Sequence, residues 1–209
     1  MAATWVIGDV HGCAEELRAL LDLLALGADD ELISVGDLFH RGPDPVGVYE
    51  LLSGLPRFRM VLGNHECALL RGDLGAAIVP EFAAHAAEIT EWLRPAPCFL
   101  RGEGAVGGRP WIVVHGSLIP GTPPEQTPDS VLTGWHTLGA GEHAQAWVSA
   151  WRGPELAVFG HRRSAAGPHR DRNGALLAYG LDTGCVYGGA LSAFRLEDGV
   201  VRAVPAETV

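Results

Sequence analysis

Thr4-Trp5-Val6-Ile7-Gly8-Asp9-Val10-His11-Gly12 begins with a short apolar run and ends it at a glycine and a carboxylate. Trp5-Val6-Ile7 reads as a buried strand. Leu17, Leu20, Leu21 and Leu24 then recur at i, i+3, i+4 and i+7, which is one face of an amphipathic helix. Leu32-Ile33-Ser34-Val35 is a second strand, ending at Gly36. Asp44 and Pro45 have the chemistry of an N-cap and first helical position, and Gly54 is placed to stop that helix. Phe58 to Leu62 is a third strand, ending at Gly63. The pattern is β-α-β-α-β, an α/β arrangement whose ligand site lies outside the carboxyl ends of the strands.

The second half continues with different spacing. Residues 82–94 read as a helix ended by Pro95 and Pro97, and Gly107-Gly108 suits a hairpin turn. Trp111-Ile112-Val113-Val114 is a strand running into His115, residues 116–130 form a loop, and residues 142–152 are helical. Leu156 to Phe159 is a strand running into Gly160-His161, and Ala190 to Val204 form a hairpin turning at Asp198-Gly199. His169-Arg170-Asp171-Arg172 reads as an exposed loop, and His85 and His143 as ordinary helix residues. No repeat or long linker divides the chain, so a single domain over residues 1–209 is expected.

Composition narrows the function. Hydrophobic residues make up 47% of the chain and charged residues 19%, enough apolar material for a real core. All 15 basic residues are arginine, which excludes P-loop, protein-kinase and Schiff-base chemistry, since each needs a lysine. The net charge of −10 offers no basic stripe for nucleic acid, and an anionic substrate must be drawn in locally by arginine or metal. Cys13, Cys67, Cys98 and Cys185 are scattered without a C-x-x-C pair and read as reduced thiols. The first residues lack a basic segment, and no apolar run approaches the ~20 residues of a membrane span, so a cytoplasmic protein is expected.

The strand ends carry the chemistry. In order they offer Asp9-Val10-His11-Gly12, Asp37, Asn64-His65-Glu66, His115-Gly116 and Gly160-His161. A single histidine at a strand end is usually a capping or core residue. Five such clusters, each directly after an apolar strand, point to a common site, and mixed oxygen and nitrogen donors suit Mn²⁺, Fe²⁺ or Zn²⁺.

Gly8-Asp9-Val10-His11-Gly12, Gly36-Asp37 with Arg41-Gly42, Gly63-Asn64-His65-Glu66, Val114-His115-Gly116, Gly160-His161 and the tail Leu181-Asp182-Thr183-Gly184-Cys185-Val186-Tyr187-Gly188-Gly189 together resemble the calcineurin-like metallophosphoesterases. The likeness is to their phosphoprotein-phosphatase branch in its short bacterial and phage form. It implies an α/β fold, a four-layer α-β-β-α sandwich with two mixed sheets, and a dinuclear centre at one edge. It places Asp9, His11 and Asp37 on one metal and Asp37, Asn64, His115 and His161 on the other, with Asp37 bridging. Two divalent ions, Mn foremost with Fe and Zn as alternatives, would lie ~3.5–4 Å apart and activate water toward phosphorus. Arg41 would grip phosphoryl oxygens, and His65 would either protonate the departing oxygen or merely support Asn64. His40, Glu66 and Asp182 would stand behind these groups, and Arg152 or Arg162 would be a further phosphate contact unless its loop is simply solvated.

One position breaks the pattern. The family's second motif is Gly-Asp-x-x-Asp-Arg-Gly, and His40 occupies the place of its second aspartate in Gly36-Asp37-Leu38-Phe39-His40-Arg41-Gly42. An imidazole there lowers the pKa of His65 relative to a carboxylate. Either Glu66 takes over, or the leaving group needs little protonation. The leading expectation is a phosphomonoesterase acting on phosphoserine, phosphothreonine or small phosphoesters. The alternative is a symmetrical dinucleoside polyphosphate hydrolase, for which 209 residues leave little room for the usual extra helices. A lesser alternative is a metal- or phosphate-binding module without turnover. The expected partner is a phosphorylated protein or small phosphoester, with no nucleic acid or membrane, and the chain is expected to be a monomer.

Overall fold

Val6 and Ile7 point to opposite faces of one strand and enter two different cores, and the architecture follows from that alternation. The structure, a computed structural model, describes residues 2–73, 80–136 and 146–206. In the first sheet, β1 (Thr4–Ile7), β2 (Glu31–Ser34) and β3 (Phe58–Met60) run parallel. On its other side β1 pairs antiparallel with β9 (Ala190–Arg195), which pairs with β10 (Val201–Pro205), so the order is β10-β9-β1-β2-β3. The second sheet has the order β4-β5-β6-β8-β7, from β4 (Phe99–Ala105), β5 (Arg109–Val114), β6 (Leu156–Phe159), β7 (Gly167–Arg170) and β8 (Leu176–Gly180). Here β5, β6 and β8 are parallel, and β4 and β7 are antiparallel edges.

Three apolar layers alternate with these two mixed sheets. Val6, Ile33, Val35, Val113, Val158 and Phe194 fill the space between the sheets. Outside the first sheet, Leu17 and Leu20 of α1 (Ala14–Leu24), Val48 and Leu52 of α2 (Pro45–Ser53), and Phe82 and Ile89 of α4 (Pro80–Leu93) pack on Ile7 and Leu32. Outside the second sheet, Trp147 and Val148 of α6 (Ala146–Ala150) pack with Ile112, Val114 and Phe159. The α/β architecture is thus the four-layer sandwich that the resemblance implied.

Local chemistry explains the helix ends. Asp44 accepts a hydrogen bond from Gly47 N at 2.7 Å, with Pro45 at the first position of α2. The expected helix over 142–152 is seen as α6, while 142–145, and with them His143, lie outside the described residues. Asn64-His65-Glu66 begins α3 (Asn64–Leu70), because Glu66 accepts from Gly63 N at 3.0 Å and closes the first turn. One expectation changes. His169 and Arg170 lie in the edge strand β7 rather than a loop, with Leu176–Gly180 completing the hairpin. The edge strand β7 reads GPHR, with almost no apolar side chain to mark it as a strand. No helix among the described residues is long and apolar enough to cross a membrane.

Candidate functional site

The six parallel strands all deliver a polar side chain just beyond their carboxyl ends: Asp9, Asp37, Asn64, His115, His161 and Asp182 follow β1, β2, β3, β5, β6 and β8. Five of them line a cavity of about 590 Å³ together with His11, Arg41, Arg162, Arg163, Ser164 and Tyr187, and His115 lies buried beneath. Two triads stand out among the described residues. His11, Asp37 and His65 form one, and Asp37, His115 and His161 the other, with the ligand atoms of each triad within 4.8 Å of one another. They share Asp37. Asn64 Oδ1 lies 3.3 Å from His115 Nε2, which puts it at the second triad.

The backbone is shaped to make this possible. Among the described residues five non-glycine residues have positive φ, and four of them, His11, Asp37, Arg41 and His161, are at the site. Such conformations cost on the order of 1–3 kcal/mol each and persist where the surroundings hold them. Two glycines admit the carboxylates. A methyl group on Gly63 would overlap Asp37 Oδ1, and one on Gly160 would overlap Asp9 Oδ1. Asp9 instead accepts from His161 N at 3.0 Å, tying the first sheet's first loop to the second sheet's central loop. Fully buried Glu66 accepts from Asp37 N at 2.7 Å and Leu38 N at 2.8 Å. Both its oxygens therefore hold the Asp37 loop, and neither is turned to supporting His65.

Charge at the site is unbalanced. Burial, then the neighbouring Asp182, pushes Asp9 well above the usual carboxylate range, and burial raises Asp182 as well. Burial and the Asp37 charge push Glu66 up to about 7. Burial would raise Asp37 too, but His115, 3.3 Å away, outweighs it and holds Asp37 well below the normal range. Burial opposes charge on His115, yet Asp37 overcomes this and lifts it to about 10. By contrast, burial leaves His11 and His161 at about 3, so both carry unprotonated nitrogens. His115 Nδ1 is 2.8 Å from Val35 O and donates to it, turning Nε2 toward Asp37.

This environment fits divalent cations. It gathers carboxylates whose charge lacks compensation, imidazoles that favour the neutral form, and a carboxamide, all oxygen or nitrogen donors. His11 Nδ1 and His65 Nε2 are buried polar atoms without a hydrogen-bond partner, which native interiors rarely leave so. Among the described residues, His11, Asp37 and His65, and Asp37, His115 and His161, are close enough together to hold an ion, with Asp37 common to both and Asp9 and Asn64 lining the same cavity.

A family model described as calcineurin-like phosphoesterase matches residues 3–189. The chain belongs to the calcineurin-like phosphoesterase family. A "Bis(5'-nucleosyl)-tetraphosphatase, symmetrical" of Coxiella burnetii is 34% identical over 168 residues, covering 75% of this chain and 51% of the relative. The chain thus spans about half the length of the first curated relatives it matches. A protein of the same name from Nitrosomonas europaea is 29% identical, with 97% of this chain and 98% of the relative covered. Among solved structures, a "putative diadenosine tetraphosphatase" is 32% identical with a TM-score of 0.78, covering 100% of this chain and 95% of that one.

Within this calcineurin-like chain the anticipated residues divide. Arg41 Nη1 lies 2.8 Å from His11 Nε2, and Arg162 joins it along the cavity wall. Arg152 is elsewhere: it is exposed, donates to Ser149 O and Trp151 O, and borders a different cavity with Arg101 and Glu125. The expectation of Arg152 as a phosphate contact is therefore corrected by its position beyond β6's opposite end. The sequence did not single out Arg163 or Tyr187 as site residues, although Tyr187 lies within the tail Leu181–Gly189 and Arg163 follows Gly160-His161 by two residues. It also showed the cysteines as scattered, yet Cys13 and Cys185 meet beside Glu16 at the start of α1. All four cysteines are free.

Two outcomes follow for the ligands. Asp37→Asn removes the shared charge and should release both metals, as read by metal analysis of protein purified without chelators; retention of both would show that the bridge lies elsewhere. Because a metal binds only the unprotonated imidazole and His115 titrates at about 10, metal uptake near neutral pH should expel a proton from His115. Affinity should then tighten with rising pH up to that value. Calorimetry in buffers of different ionisation heat measures the proton, and zero release would remove His115 from the ligand set.

Proposed function

We propose that this chain is a metal-dependent hydrolase of dinucleoside polyphosphates, cleaving a phosphoanhydride bond rather than a phosphoserine ester. The pair His40–His65 carries this reading. The family resemblance gives His65 the part of protonating the departing oxygen, and the ring it faces is an imidazole, 4.5 Å away at 37°. Burial lowers His65 to about 4; Asp37, 3.9 Å away, opposes this without prevailing, and His40 adds to the lowering. His65 is therefore neutral near pH 7 and a poor proton donor. A serine alkoxide cannot depart well without that proton. A nucleoside diphosphate departs through a phosphate oxygen, whose own pKa is about 6 for a phosphate group, and needs none.

The named relatives support the same choice, and they favour it over the protein-phosphatase expectation. Chain length does not stand against it, because the solved tetraphosphatase-like structure is matched over 95% of its length by all of this chain. Bound divalent ions would supply water of lowered pKa and neutralise charge on the phosphoryl oxygens. The chain's own part is to position. Asp9, His11, Asp37, Asn64, His115 and His161 fix the ions, Arg41 clamps the phosphoryl group, and Arg162 and Arg163 draw a polyanion to an otherwise acidic protein. In balance, water adds its oxygen to phosphorus, the central P–O–P bond breaks, and two fully ionised nucleoside diphosphates and two protons are released.

The test sets diadenosine tetraphosphate against a phosphoserine peptide, with nucleotide products separated by chromatography. ADP as the sole nucleotide product, at a kcat/KM well above that for the peptide, is expected; preference for the peptide would reinstate the protein-phosphatase reading. His40→Asp should raise phosphoserine turnover, within the ~10²–10⁴-fold typical of general acid catalysis, far more than anhydride turnover. The alkaline limb of the rate profile should move upward as the carboxylate raises His65. Arg41→Ala should keep the metals but weaken inhibition by inorganic phosphate and lower kcat together. Unchanged phosphate inhibition would place Arg41 away from the phosphoryl group.

A further inference from the structure

Three groups of side chains with metal-binding spacing occur among the described residues, and only two of them belong to the candidate centre. The third is Cys13, Glu16 and Cys185, whose sulfur and carboxylate ligand atoms all lie within 4.8 Å of one another. Nothing in the proposed function uses a thiol. Buried cysteines often serve as small apolar packing residues, and Cys67 and Cys98 join no such group among the described residues. Cys13 and Cys185 differ because they converge on a carboxylate from opposite ends of the chain.

Each donor is placed by a segment with its own backbone support. Cys13 stands at the N-cap of α1, where its N donates to Val10 O at 3.1 Å and its side chain makes no cap hydrogen bond. The thiol reaches His11 O at 3.9 Å, a weak contact. Glu16 follows three residues later, so the first turn of α1 brings its carboxylate over the same face. Cys185 opens the single turn Cys185–Tyr187, set between Gly184 and Gly188, both left-handed. Tyr187 N donates to Gly184 O at 2.9 Å and Gly188 N to Cys185 O at 3.0 Å, which fixes the backbone that presents the thiol. Cys13 and Cys185 are buried and Glu16 is half-buried, so the cluster opens to solvent on the helix side.

The spacing and the donor types agree on one kind of ligand. Tetrahedral zinc lies about 2.3 Å from thiolate sulfur and about 2.0–2.2 Å from carboxylate oxygen, which spaces its ligand atoms roughly 3.6–3.8 Å apart. Atoms already gathered within 4.8 Å close to that spacing by shifts of about 1 Å or less. Thiolates favour zinc over manganese and magnesium, which suit oxygen donors. The candidate centre has no sulfur donor, so the two places select ions by different chemistry.

We propose that Cys13, Glu16 and Cys185 form a separate cation site that takes zinc, with water in the fourth position. It lies behind the candidate centre rather than in it. Cys13 is two residues beyond His11 and Cys185 two residues before Tyr187; His11 and Tyr187 line the cavity, and neither cysteine does. An ion held there ties the loop after β1 to the turn before β9, two segments that each carry part of the cavity wall. The site rests on these three side chains and does not depend on which phosphate compound is cleaved.

Cobalt(II) is the probe, because thiolate ligands give it an intense near-ultraviolet charge-transfer band that oxygen and nitrogen ligands do not. It is added to the full chain carrying Asp37→Asn, in which the candidate centre is impaired. Cobalt bound with that band, and displaced by zinc, is the expected result. Cys13→Ala and Cys185→Ala should each abolish the band, and Cys67→Ala should leave it. Glu16→Gln should keep the band but weaken cobalt by more than the roughly 10- to 100-fold typical of losing a partner behind a ligand. This last variant lies on a half-buried helix face and decides the matter if the buried cysteine variants do not fold, as circular dichroism reports. Zinc should also raise the midpoint of thermal unfolding, a rise that Glu16→Gln diminishes at equal zinc. Cobalt binding without the band, a band that survives either cysteine change in folded protein, or unchanged affinity in Glu16→Gln would overturn the site. Titration of unfolded, anaerobically isolated protein should find four thiols. A disulfide between Cys13 and Cys185 in that protein would overturn the site as well.

Discussion

A single carboxylate, Asp37, holds a negative charge at 2% exposure and belongs to both ligand triads. Burying an unpaired charge is costly, so everything around Asp37 works to keep it ionised. His115 supplies positive charge at 3.3 Å, Glu66 pins the loop through Asp37 N, and Gly63 leaves the space the carboxylate occupies. A proton on His115 and a divalent cation are competing answers to the same charge. The raised pKa of His115 and the elevated carboxylates nearby are two signs of one demand for cations.

That demand is met by joining two sheets at one edge. Each sheet contributes three parallel strands, and each strand is followed by one polar side chain at the candidate site. Hydrophobic packing between the sheets, through Val6, Ile33, Val113, Val158 and Phe194, sets the distance across which Asp9 can accept from His161 N. The positive φ values at His11, Asp37, Arg41 and His161 are tolerated because this packing holds the loops on both sides. Core and site are thus parts of one mechanical arrangement.

The position of His40 links that arrangement to substrate choice. Burial holds His65 at about 4 against the pull of Asp37, with His40 adding to the lowering, and under the proposed function this suits leaving groups that are already stable anions. The arginines are placed accordingly. In a chain of net charge −10, Arg41, Arg162 and Arg163 gather at the cavity instead of spreading over the surface, and Arg71 stands beside Trp135. A polyphosphate chain is the kind of ligand that such local charge attracts.

The first three strands, both helices between them and the final hairpin were legible in sequence, because a half-buried strand or helix writes its period directly into its apolar residues. The ligand types were legible for a similar reason: each polar cluster interrupts an apolar run where a strand must end. The strands Gly167–Arg170 and Leu176–Gly180 were not, since the first, an edge strand reading GPHR, carries almost no apolar side chain to mark it and each is only four or five residues long. Nor could linear order separate Arg152 from Arg162. Ten residues apart in a chain rich in arginine, they differ only in which end of β6 they lie beyond. Glu66 likewise looked like a spare acid for His65, and only the folded helix start shows both oxygens holding the Asp37 loop. Sequence by itself determined the element types and the donor set, because these depend on local periodicity and side-chain chemistry. Tertiary structure alone decided that Asp37 is shared, that Glu66 is occupied and that Tyr187 and Arg163 line the same cavity as Asp37, because each of these depends on packing between segments that lie far apart in the chain.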